Sequence, residues 1–88
     1  MNCVWKYKLD HMIQKVELPV GAKILSAVIQ NGHVVVYALV NSNEEKKETV
    51  EFVTQSTGES SVDRLNEYMF LDTLMADNGL VFHIFYKR

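Results

Sequence analysis

The feature that most constrains this chain is a period-two alternation of apolar and polar side chains, broken at short intervals by turn residues. Cys3, Trp5, Tyr7 and Leu9 fall on one face of an extended segment, with Lys6, Lys8 and Asp10 on the other. That period describes a half-buried strand with one wetted face. A weaker alternation runs through Met12, Gln14, Val16 and Leu18 and stops at Pro19-Val20-Gly21. Proline cannot donate to a strand ladder and glycine relaxes the backbone, so this corner ends one strand and aims the next.

Residues 24–30 form the next strand, and Asn31-Gly32 after them is the strongest short hairpin signal in the chain. The return segment, residues 33–40, is apolar on both faces, as expected of a central strand covered on both sides. Residues 41–47 are a polar loop, and residues 48–54 alternate again. Residues 55–65, "QSTGESSVDRL", are polar and suit a loop, with Ser61 placed to cap a short helical turn. Residues 68–75 are strand-like, Ala76-Asp77-Asn78-Gly79 is a second hairpin turn, and "LVFHIFY" closes the chain. About seven short strands separated by turns predict one all-β domain over residues 1–88, a small antiparallel sandwich or barrel with little helix.

Composition narrows the class of function. Nine Lys/Arg against eleven Asp/Glu leave a net charge of −2, so no basic excess points to DNA or a membrane surface. The single cysteine, Cys3, excludes an intramolecular disulfide and suits a reducing cytosol. The N-terminus shows no signal-peptide pattern and no apolar run reaches bilayer length, so a soluble protein of the cytoplasm is expected. The four glycines are scattered, which argues against a phosphate-binding loop, and His11, His33 and His83 lack metal-ligand spacing. No nucleophile sits beside a histidine base in any recognisable pattern. Binding rather than catalysis is therefore expected, with no cofactor and no metal.

Six residues are candidates for contact with a ligand or partner. Trp5 and Tyr7 share a face and can stack on a planar group; the alternative is that they fill the core, the usual place of large aromatics at period two. His83, inside "VFHIF", is either a binding group or a satisfied interior histidine. Ser56 and Thr57, ahead of Gly58, offer hydroxyls and turn amides to an anion, or simply form a hydroxyl-closed turn. Arg64 is the one arginine away from the C-terminus, suited to an anion or to plain solvation. The expected division is that the first strand and the Pro19–Gly21 corner are scaffold, and that binding lies in the 55–65 loop.

The ordered set "WKYKL" at 5–9, "LPVGAKIL" at 18–25, "VVVYALV" at 34–40, "STG" at 56–58 and "LVFHIF" at 80–85 resembles a family of small uncharacterised proteins encoded by bacteriophages. The chain departs from that pattern at Ser56, where the family has glycine. It departs again over Phe70-Leu71-Asp72-Thr73, where the family reads Tyr-x-Gly-Thr. The resemblance implies a phage accessory protein acting in the host cytoplasm, one that binds and neutralises a host component. Its target would be a nucleotide immune signal, which it sequesters, or a host defence protein, which it inhibits. A structural or assembly module of the phage, with no small-molecule ligand, is the alternative. A homo-oligomer is expected, because two strands apolar on both faces are more than one small sheet easily covers.

Overall fold

The computed structural model describes all of residues 1–88 and contains seven strands. They are β1 (Asn2–Leu9), β2 (Ile13–Pro19), β3 (Lys23–Gln30), β4 (His33–Asn41), β5 (Lys47–Ser56), β6 (Met69–Met75) and β7 (Val81–Lys87). They form two antiparallel sheets, one of three strands in the order β1-β4-β3 and one of four in the order β2-β5-β7-β6. The expectation of an all-β antiparallel domain is met, and the architecture is a sandwich. The helical turn lies later than Ser61 suggested: a single 3-10 turn spans Leu65–Glu67, and no side chain caps it.

The Pro19–Gly21 corner carries the chain from the four-stranded sheet to the three-stranded one. Ala22 N donates to Pro19 O at 3.1 Å, and Gly21 at φ 86° takes the left-handed conformation that a type II turn needs at its third residue. Val20 N donates to Lys46 O at 2.9 Å, which ties this corner to the β4–β5 connection at the same end of the sandwich. At the opposite end Asn31 and Gly32 both have positive φ, the type I′ geometry that matches strand twist.

The core lies between the sheets. Leu9, Ile24, Ala27, Val36, Ala38 and Val40 from one sheet meet Leu18, Val50, Phe52, Leu74 and Ile84 from the other, and Ala22 closes the corner. Phe52 is the largest side chain fully withdrawn from solvent. β4 is covered on one face only. Its inward residues Val36, Ala38 and Val40 are buried under the second sheet, whereas Tyr37 and Leu39 on the outer face are half-exposed. Val35, also outward, is shielded in its row by cross-strand neighbours Lys8 and Val28.

Trp5 departs from the core reading. It shares the inward parity of Tyr7 and Leu9 but keeps 39% of its surface exposed and stands outside the core cluster. The reason is position: β1 is an edge strand, paired only to β4, and alternation reports which face a residue takes, not how far the opposite sheet extends over it. Tyr7 does pack on the core, and its hydroxyl is shut off from solvent with no hydrogen-bond partner. A stranded hydroxyl costs stability, so Tyr7→Phe should stabilise the fold by about 1 kcal/mol, read as a higher denaturation midpoint.

Tyr7 also makes the fold sensitive to alkali. Burial pushes its phenol above the usual value near 10, and Tyr68 is pushed the same way, first by its hydrogen bond to Glu51. A phenol that holds its proton more tightly when folded contributes stability fully present below pH ~10, which is lost as pH rises through the folded pKa. Stability should therefore fall above pH ~10, and less steeply in Tyr7→Phe; denaturant melts across that range measure both.

Candidate functional site

The four-stranded sheet needs an unusual connection, and the 55–65 loop supplies it. β5 and β6 both pair with β7 and so run parallel, with β7 between them. A parallel relation cannot be closed by a tight turn. Residues 57–68 instead cross the outer face of β7, from the end where β5 stops to the end where β6 starts. Gln55, the one buried polar side chain, anchors this strap. Its Nε2 donates to the carbonyls of Ser56, Glu59 and Ser60, and its Oε1 accepts from Val62 N, all at 3.2 Å. At the far end the Tyr68 hydroxyl donates to Glu51, and Lys87 Nζ stands 5.6 Å over the Tyr68 ring.

Four of the six candidate residues belong to or touch this strap. Thr57 Oγ1 lies 2.7 Å from His83 Nε2, and Thr73 Oγ1 lies 3.2 Å from His83 Nδ1, so the imidazole is held between two hydroxyls on the outer face. Ser56 ends β5 opposite Phe82, one residue before Thr57. Arg64 sits in the left-handed region at φ 60° with an exposed side chain, 3.8 Å from Glu67. Trp5 and Tyr7 belong to the inward face of the other sheet, so the four-stranded sheet stands between them and His83. The structure thus brings Thr57 and His83 together on the outer face, while Ser56 contributes only its carbonyl, to Gln55, and neither Arg64 nor the two aromatics joins them.

A broad concavity lies elsewhere, at the open end of the sandwich where three turns meet. It is a cleft of about 550 Å³ between the β1–β2 connection, the β3–β4 hairpin and the β6–β7 hairpin. Leu9, Ile29, Val34 and Phe82 give it apolar walls, and Asp10, His11, His33, Thr54, Asp77 and Asn78 supply polar groups. Neither lysine nor arginine lines it. A second concavity of about 300 Å³, on the outer side of the three-stranded sheet, is lined by Lys6, Lys8, Gln30, Asn31, His33 and Val35. His33 borders both, and Lys8 pairs with Asp10 at 3.5 Å where the two approach.

Sequence reasoning did not single out these residues, because each sits in a separate turn that reads as punctuation. Their one available signal was the polarity of the turns themselves: Asp-His, Asn-Gly-His and Asp-Asn-Gly. Only the strand order shows that all three turns fall at one end.

Fold and geometry define a small all-β sandwich domain with one open-ended cleft of mixed polarity. The chain belongs to the family described as Domain of unknown function (DUF7352), whose profile matches residues 1–88. No curated protein and no solved structure matches it.

Proposed function

We propose that this chain is a small phage-encoded accessory protein that acts by binding, in the cytoplasm of the infected host, and that its role is counter-defence: it holds a nucleotide signal away from the host protein that reads it. The observation that supports this reading is the cleft at the sandwich end. Its volume falls within the range of small-molecule sites, and its make-up is the usual one, apolar walls with a few hydrogen-bonding groups at the rim. The protein is read as a binder and not an enzyme. Its hydroxyl–imidazole array, Thr57, His83 and Thr73, fastens the strap on the outer face and stands across the sheet from the cleft.

Thermal melts with nucleoside monophosphates, cyclic oligonucleotides and ADP-ribose derivatives test the reading. A ligand held by the native state must raise the melting temperature, by an amount that grows with its concentration over Kd. His11→Trp, an exposed substitution that narrows the cleft, should abolish the rise. A panel that leaves the melting temperature unmoved would defeat the small-molecule reading.

A second reading, a structural or assembly module, is favoured by apolar side chains on both outer faces. Val4 and Val28 flank β4 on one sheet, and Ile13 and Phe70 lie on the outer face of the other. Recovery of the chain in purified virions would favour it. The same surfaces suit contacts between copies of the chain, so light scattering at tens of micromolar should report a dimer or larger; a monomer counts against the oligomer.

A further inference from the structure

We propose that the ligand is a guanine nucleotide with a single phosphate group, its base in the end cleft and its phosphate beside Lys6 and Lys8, with His33 between them. This rests on the small-molecule reading above and names the ligand class. The two concavities share His33 as a lining residue yet are opposite in character. One has apolar walls and carboxylates and lacks cations, and the other carries two lysines with two amide side chains. A ligand that uses both must join a flat, largely uncharged body to an anionic group, as a nucleotide does.

The hairpin tip selects the base. Asn78 Oδ1 already accepts from Leu80 N at 3.1 Å, so the amide offers the ligand its N–H donors. Asp77, next to it on the rim, takes part in no ion pair and is an acceptor. A donor beside a double acceptor complements the guanine edge, where O6 accepts and N1–H and the 2-amino group donate. Adenine presents its ring nitrogen as an acceptor there and would set it against the carboxylate.

The anion seat fits one phosphate. Lys8 is shared with Asp10, so the two lysines carry less than two free charges, and Asp10 and Asp77 repel a longer polyphosphate. Charge at this exposed position is screened by salt, which separates the phosphate contribution from the base contribution.

Calorimetric titration of the whole chain with GMP, AMP, guanosine and inorganic phosphate is the test. GMP should bind about tenfold more tightly than either AMP or guanosine, the equivalent of one charge-assisted hydrogen bond in each comparison. Inorganic phosphate alone should give no measurable heat. Raising salt should weaken GMP and leave guanosine unchanged. The double variant Lys6→Gln/Lys8→Gln should bind GMP no better than guanosine, and Asp77→Asn should bind GMP and AMP equally. All three positions are exposed, and unchanged melting temperatures confirm that the variants fold. Equal affinity for GMP and AMP, full GMP affinity in the lysine variant, or no binding of GMP at all would each overturn the assignment. The broader reading would still stand if another nucleotide raised the melting temperature and His11→Trp removed that rise, so the two failures are distinct.

Discussion

Phe52→Ala should remove a large share of the domain's stability. Phe52 is 1% exposed, sits at the centre of β5, and meets the Tyr86 ring at 6.2 Å between centroids. Truncating a buried phenylalanine removes its transfer free energy and leaves a cavity, together about 3–5 kcal/mol. A domain of this size has roughly 4–13 kcal/mol of stability in total. The loss should appear as a drop in denaturant midpoint without a change in slope, or as an unfolded baseline at the lower bound. Phe52→Leu should lose only about 1.5 kcal/mol, because most of the volume remains. Trp5→Ala is the informative contrast. It removes a larger side chain, yet at 39% exposure on an edge strand the cost should be about 1–2 kcal/mol. If Trp5→Ala proved as damaging as Phe52→Ala, the edge position would have been misjudged and the first strand would be core after all.

Gln55→Ala should release the strap. The two N–H groups of the amide are shared among three carbonyls and its oxygen accepts one backbone N–H of residues 56–62, all from a buried position, and alanine replaces none of these bonds. Networks of this kind are lost as a unit, so the cost should be about 2–3 kcal/mol, above that of one ordinary hydrogen bond. Global stability alone would not distinguish this from a simple packing loss. Limited proteolysis would: cleavage within residues 57–64 should accelerate well beyond the change in global unfolding, because the segment opens locally. Gln55→Glu sharpens the test. A carboxylate cannot donate, so it should fail to hold the Ser56, Glu59 and Ser60 carbonyls despite its similar shape. A strap that stays protected in both variants would mean that Thr57–His83 and Tyr68–Glu51 suffice to hold it.

The strap changes how residues 55–65 are understood. As sequence they are polar and rich in serine, which suits a binding loop and a connecting segment equally well. What separates the two is strand order. Once β7 lies between β5 and β6, the chain must cross a sheet face, and Ser56, Thr57 and His83 become fastenings of that crossing. Gln55 carried no signal in advance, since a glutamine at the end of an alternating run looks solvated until something folds over it.

Much of the fold was determined by the sequence by itself. Period-two alternation set the strands and their inward residues to within a few positions. Asn31-Gly32 and Asp77-Asn78-Gly79 set two hairpins, and Pro19 with Gly21 set the corner between sheets. These are local properties: side-chain period, positive φ and a missing N–H act over two to eight residues. Tertiary structure decided the rest. It left Trp5 at a rim, opened one face of β4, buried Gln55 under a strap, and gathered Asp10, His11, His33, Asp77 and Asn78 from three turns around one cleft. Each of these depends on which strands become neighbours. That is settled by burying apolar faces against each other across the whole chain, and no short window of residues contains it.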